Sequence, residues 1–219
     1  MEITEALKSV PLFSSLGEEQ ILLLSRNAVK RGYKKGAILW QKEEKNTGLY
    51  VLLAGLLKVV EIHEDGRELT LNIMRPGDSV GEMSLLDGRP HSATVVALED
   101  SECFVIRRDD FLDLFRRNPE IAVSLLNLLA ERLRSLSLSA TDFKFLDVYH
   151  RVARRLLLLC SQSGERELRI SHQELANLVG ATRENVTRVL DDMEKKEWIR
   201  MKKQKILIEN PGELGSLFL

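Results

Sequence analysis

Cysteine is scarce in this chain: its 219 residues contain two, Cys103 and Cys160. They lie in the apolar settings ECFVI and LLLLCSQ, and no C-x-x-C pair occurs. That excludes a disulfide framework and a four-thiolate zinc or iron–sulfur site within one chain, so both thiols read as small buried hydrophobes. Long apolar runs are also missing, and none approaches the ~18 residues that a membrane span needs. The N-terminal MEITEALKSVPLFSSLGEEQ lacks the basic region, apolar stretch and small-residue cleavage site of a secretory signal, which predicts a cytoplasmic protein with no membrane partner. What is present is a globular composition, with 44% hydrophobic and 30% charged residues. That apolar share is too high for a disordered chain.

The charge is balanced overall, at 32 basic against 33 acidic residues, but unevenly placed. Residues 143–219 hold 14 Lys and Arg against 11 Asp and Glu, leaving the rest of the chain acidic. A basic tail on an acidic body points to a polyanionic partner for the tail.

Three periodicities follow one another. Residues 1–30 read as short helices, with apolar positions Ile21, Leu22, Leu24 and Val29 after the break at Gly17. From about 37 to 106 come short apolar or alternating runs: AILW, LYVLL, LLKVVEI, ELTLNIM, ATVVAL and ECFVI. Turn signals separate them, and Asp65-Gly66 suits a hairpin tip. Such a pattern predicts an antiparallel sandwich or barrel. From Arg108 the period is helical, and Pro119 suits a first helical turn. Ala122, Leu126, Leu129, Leu133, Leu136 and Ala140 form a seam at steps of four and three, which predicts a parallel homodimer. Leu125 and Leu128 widen the stripe toward the helix's own domain. Asp147 is placed to cap a further helix that breaks at Ser163-Gly164.

The segment ISHQELANLVGATRENVTRVLDDMEKKEWI is the most specific. Ser171 with Glu174 forms a capping box, Gly180 ends that helix and Thr182 caps the next. Ala176 permits close crossing, and Leu175, Val179, Val186, Val189 and Leu190 supply the buried wedge of a helix-turn-helix. Two strands follow, with Lys202, Lys203 and Lys205 at a basic tip suited to a wing over phosphates. Arg183, Glu184 and Arg188 project from the apolar face, where arginine can fork onto guanine and a carboxylate can accept from cytosine N4. Asn185, Thr187 and Lys195 are further candidates for contacts to phosphate or bases, and Ser171, Thr182 and Lys203 for DNA binding. A bland alternative is a surface ion pair between Glu184 and Arg188.

With these motifs assembled, the chain resembles the CRP/FNR family of bacterial transcription regulators over essentially its whole length. The likeness is carried by YVLLAGLLKV, RPGDSVGEMSLLDGRPHSATVVA, the hinge FLDV and TRENVTRVL. The resemblance implies an α+β protein in three parts. These are an antiparallel jelly-roll effector domain (1–117), a long dimerisation helix (118–142) and a winged helix-turn-helix (143–219). It further implies a small-molecule effector, cyclic AMP or another cyclic nucleotide, held by GEMSLLDGRPHSATVVA. Gly81, Glu82, Met83, Ser84, Arg89, His91, Ser92 and Ala93 would surround it, with Glu82 on the ribose 2′-hydroxyl and Ser92 on the cyclic phosphate. Arg132 would brace the pocket, while Leu136 and Ser137 would face the base. Two positions depart from the family pattern: His91 stands where an arginine is usual, and Leu136 where a threonine is usual. The resemblance also implies a TGTGA-like inverted repeat in double-stranded DNA as target, and RNA polymerase as a further partner.

Two other readings remain open at this point. One is a regulator of the same type that needs no ligand. The other is a cupin-like metalloenzyme, which calls for an H-x-H set that this sequence lacks. No catalysis is expected, because no third group is identifiable that would orient His91 toward Ser92.

Overall fold

The computed structural model describes residues 3–8, 10–45, 48–203 and 205–218. Residues 1, 2 and 9 of the expected N-terminal helices lie outside these. The chain divides into two compact units, the first comprising 1–67 and 71–134, the second 68–70 and 135–219.

The first unit opens with helices α1 (Ile3–Lys8) and α2 (Glu18–Asn27), separated by a 3-10 turn at Pro11–Phe13. Strands β1 (Val29–Tyr33), β2 (Ile38–Trp40), β3 (Gly48–Ala54), β4 (Leu57–Ile62), β5 (Glu68–Met74) and β6 (Ser79–Val80) follow. Helix α3 (Glu82–Asp87), strands β7 (Thr94–Ala97) and β8 (Ser101–Arg107), and helix α4 (Arg108–Arg117) complete it, together with the start of the long helix α5 (Glu120–Phe145). The strands form two four-stranded sheets, ordered β1-β8-β3-β6 and β2-β7-β4-β5.

Strands β3 and β8 explain why parts of the sequence read as unbroken apolar runs. They pair antiparallel, with Leu49 opposite Ile106 and Val51 opposite Phe104. One face of the pair, Leu49, Val51, Phe104 and Ile106, packs under Phe13, Ile21, Leu24, Phe111, Ile121 and Leu125 from the helices. The other face, Tyr50, Leu52, Cys103 and Val105, joins Trp40, Leu57, Met74 and Val95 in a second core. A strand buried on both faces loses its alternation. Burial pushes the Cys103 thiol up to about 12, so it stays protonated and unreactive. Asp65 and Gly66 turn β4 into β5 as expected, with Gly66 N–H donating to the His63 carbonyl at 2.9 Å.

Two N-terminal expectations need correction. Val29 lies in strand β1 rather than on a helix face, and it is exposed, as is Leu22 of α2. Strand β1, VKRGY, has few apolar residues because it sits at a sheet edge with both faces near solvent.

The second unit contains α6 (Val148–Ser163), β9 (Glu167–Leu168), α7 (His172–Val179), α8 (Arg183–Lys195), β10 (Ile199–Lys202), β11 (Lys205–Ile208) and α9 (Pro211–Ser216). Asp147 caps α6 by accepting from His150 N–H at 2.9 Å. The sheet order is β10-β11-β9, so the expected two-stranded wing gains a third strand. Among the described residues, no helix is long and apolar enough to cross a membrane.

Candidate functional site

The first candidate site is built around α3. Gly81 sits at φ 97°, a left-handed conformation that favours glycine, and it turns the chain from β6 into the helix. The next residue, Glu82, is thereby driven inward and is 1% exposed. Arg132 of α5 meets it: one guanidinium nitrogen donates to Glu82 Oε1 and another to the Ser79 carbonyl. The second carboxylate oxygen, Oε2, is buried and has no hydrogen-bond partner among the described residues. A buried acceptor left in this way is costly, and it fits a ligand hydroxyl that donates to it.

The loop after α3 is divided. Ser92 and Arg89 are exposed, and Arg89 Nε is 4.0 Å from Asp87. His91 points inward: it is 3% exposed, its ring is stacked 4.3 Å from that of Trp40, and its Nδ1 lies 3.4 Å from Ser84 Oγ. Ala93 is buried and its carbonyl accepts from Trp40 Nε1 at 3.1 Å. Ser84 is buried with them, whereas Met83 is exposed. On α5, Leu136 and Ser137 lie one turn beyond Arg132 and are exposed.

Burial pushes the His91 imidazole below its ordinary 6.5, against an opposing pull from the Glu44 carboxylate. The unfolded chain therefore takes up this proton more readily than the folded one. The stabilisation from a neutral ring is complete above pH 6.5 and is lost as pH falls below it. The melting temperature of the first unit should drop between about pH 7 and 5. His91→Phe, which keeps a ring against Trp40, should flatten part of that drop; an unchanged pH profile would remove His91 as its cause.

The second candidate site is the outer face of α8. Ser171 and Glu174 form the full capping box of α7, with Glu174 N–H donating to Ser171 Oγ and Ser171 N–H to Glu174 Oε2. Gly180, at φ 60°, closes α7, and Ala181 N–H reaches back to the Ala176 carbonyl at 3.1 Å. Thr182 then caps α8 by accepting from Asn185 N–H. Leu175, Ala176, Val179, Val186 and Leu190 are buried between the helices, while Val189 is half-buried.

The opposite face carries Arg183, Glu184, Asn185 and Arg188, all exposed. The alternative ion pair is not formed: among the described residues, neither arginine makes an ion pair. A hydrogen bond from its own backbone N–H and one from the Thr182 hydroxyl hold the Glu184 carboxyl below the usual range, aided by the charges of Arg183 and Arg188. Thr187 is half-buried and its hydroxyl lies 2.9 Å from His172 Nδ1, which ties α8 to the start of α7. In the wing, Glu167 of β9 pairs with Lys205 and, at 3.8 Å, with Lys202. Lys203 is exposed at the tip and makes no ion pair among the described residues.

Several structural anchors escaped the sequence reading. Tyr149 Oη donates to Asp192 at 3.0 Å and Lys196 pairs with the same carboxylate at 2.8 Å, which fixes α8 against α6. Arg151 donates to the carbonyls of Val179 (2.9 Å), Leu146 (2.8 Å) and Gly180 (3.5 Å). Phe143 lies so close to Gly180 that a Cβ there would come within 2.5 Å of its ring. Asp142 pairs with Arg154. Their partners are distant in sequence and no local motif marks them; only the aromatic Phe143 beside a turn glycine offers a hint.

Comparison with known proteins gives two family matches. A cyclic nucleotide-binding domain model covers residues 30–118, and a Crp-like helix-turn-helix domain model covers 150–217. The chain is 37% identical over 195 residues to a cyclic AMP receptor protein of Thermus thermophilus, which spans 89% of this chain and 90% of that protein. It is 32% identical over 218 residues to a CRP-like cAMP-activated global transcriptional regulator of Mycobacterium tuberculosis, covering 96% and 97%. A crystal structure of a transcriptional regulator of the CRP/FNR family from Eubacterium rectale superposes with a TM-score of 0.77 at 25% identity, covering 96% of this chain and 98% of that one.

Proposed function

Because the chain belongs to the CRP/FNR family of transcription regulators, with a cyclic nucleotide-binding domain and a DNA-binding helix-turn-helix, we propose that it is a cytoplasmic homodimer. In this reading it binds a TGTGA-like inverted repeat under the control of a small effector, with RNA polymerase as a further partner. The observation that supports it best is the outer face of α8, where two arginines that make no ion pair among the described residues flank a carboxylate kept ionised by its own helix start. Arg183 and Arg188 fork onto guanines and Glu184 accepts from cytosine N4. Asn185 supplies a neighbouring contact, Ser171, Thr182 and Lys203 meet phosphates, and Thr187 acts through its bond to His172. Dimerisation is supported by the α5 seam, whose Leu126 and Leu133 are 65% and 66% exposed while Ile121 and Leu125 of the same helix are buried. The division into effector domain (1–117), dimerisation helix (118–142) and DNA-binding domain (143–219) follows from this reading.

Cyclic AMP or another cyclic nucleotide is the effector class, and Glu82 Oε2 is the atom that fits it. The ribose hydroxyl would donate there, Arg132 would hold the carboxylate in place, and Gly81, Met83 and Ser84 would shape the wall. Ser92, Ala93 and the long side chain of Arg89 would serve the phosphate end, and Leu136 with Ser137 the base. A ligand-independent regulator is the second reading, favoured by one observation: His91 is committed to the core against Trp40 and brings no charge to the loop surface.

Fluorescence anisotropy on a labelled TGTGA palindrome and a scrambled duplex, with and without cyclic AMP, cyclic GMP and cyclic di-GMP, tests both. The palindrome should bind at least ~10³-fold more tightly, with affinity falling steeply as salt rises. Equal affinity for the two duplexes would overturn the reading as a sequence-specific regulator. Tight binding unaffected by any nucleotide selects the ligand-independent version.

A further inference from the structure

The exposed ridge of α8 runs Glu184, Arg188, Asp191, Lys195, at spacings of four, three and four. Its acidic members differ in what holds them. Glu184 is bound into the helix start. Off the ridge, Asp192 is taken by Tyr149 and Lys196, and Glu194 accepts from Met201 N–H at 2.6 Å. Asp191 alone of these has a carboxylate with no hydrogen bond or ion pair among the described residues, and Arg188, three positions earlier, does not pair with it.

Nothing in the fold gains from an aspartate there. Asp is a poor residue for a helix interior, and position 191 is two turns past the end whose dipole favours negative charge. Its position relative to DNA gives it a role. Eight residues beyond Arg183 is about 12 Å along the helix axis, comparable with the ~12 Å width of the major groove. With the first turn of α8 on the groove floor and its axis tipped inward, residue 191 stands beyond the ~8.5 Å depth of the groove, whereas a helix laid along the backbone brings it level with the phosphates.

We propose that Asp191 is a specificity-determining residue that acts by repulsion, penalising complexes in which α8 lies along the phosphate backbone without inserting its first turn. This rests on α8 being the recognition helix, as argued above. In the inserted complex, contacts from Arg183, Glu184 and Arg188 hold the helix tipped into the groove and keep the Asp191 charge clear of the phosphates. In a backbone-only complex nothing does so, and the two copies in a dimer double the effect. Discrimination then comes from weakening the wrong complex as well as strengthening the right one.

The test is anisotropy on the TGTGA palindrome and the scrambled duplex with wild type, Asp191→Asn and Asp191→Glu. Asp191→Asn should tighten scrambled binding about three- to tenfold, as expected for two exposed charges, and palindrome binding by less than about twofold. Asp191→Glu, which keeps the charge, should keep the wild-type ratio. A wild type that discriminates, paired with an Asp191→Asn variant of unchanged ratio, overturns the role of Asp191. So does a variant that loses palindrome affinity selectively and regains it when one base pair is changed, since that makes Asp191 a base reader. A wild type that binds both duplexes alike overturns the recognition-helix reading itself, and this role with it.

Discussion

Arg188→Ala is expected to lower affinity for a TGTGA palindrome by roughly a hundredfold while changing scrambled-duplex affinity by less than about threefold. Each bidentate arginine–guanine pair contributes about 1–3 kcal/mol of discrimination, and a twofold operator contains the pair twice. Arg188 is exposed and makes no ion pair among the described residues, so truncating it breaks no intramolecular contact of that kind and the fold should survive. Arg188→Lys separates charge from geometry: lysine keeps the positive charge but not the planar fork. That variant should retain backbone affinity and salt dependence while losing most of the discrimination. Equal losses on both duplexes in Arg188→Ala would place the side chain on phosphate instead of guanine.

The second large effect is expected in the effector domain. Arg132→Leu removes both hydrogen bonds that reach Glu82 and Ser79 and leaves a buried carboxylate whose other oxygen already has no partner among the described residues. Breaking a buried pair from one side typically costs 3–5 kcal/mol. Arg132 keeps 26% of its side-chain surface in water, so a loss of about 2–3 kcal/mol is expected here. The double variant Glu82→Leu/Arg132→Leu should recover much of the stability, because replacing both partners leaves no orphan charge. It should also lose any response to a ribose-containing effector. Denaturant melts of the three proteins measure the first expectation, and nucleotide-dependent protection against unfolding measures the second.

The parts of the fold legible in the sequence were those encoded locally. Ser171, Glu174, Gly180 and Thr182 announced two helices because caps and breaks act within four residues of chain. The buried strands β3 and β8 stood out because apolar runs of that length have few other uses. Strand β1 did not, since an edge position removes the apolar signal on which the reading depends. Helix α3 has six residues, too few for a helical period to declare itself.

The sites followed the same division. The outward face of α8 was readable from its own periodicity, but the Glu82–Arg132 pair joins residues 50 apart and entered only through family resemblance. The inward turn of His91, in the loop before β7, depends on Trp40 of β2, and no neighbour in sequence marks it. The bond between His172 and Thr187 and that between Tyr149 and Asp192 likewise exist only once helices have packed. They matter because they set the angle at which the readable residues are presented.

Phe143 belongs to the final turns of α5, yet its ring covers Gly180 in the turn that launches α8, and Arg151 grips carbonyls at both places. A methyl group added at 180 would meet the Phe143 ring at 2.5 Å and push it aside, and the Arg151 guanidinium bridges the two places. The end of α5 and the start of α8 are thus tied by one ring and one guanidinium, and truncating either side chain should loosen the first turn of α8 without touching its outer face.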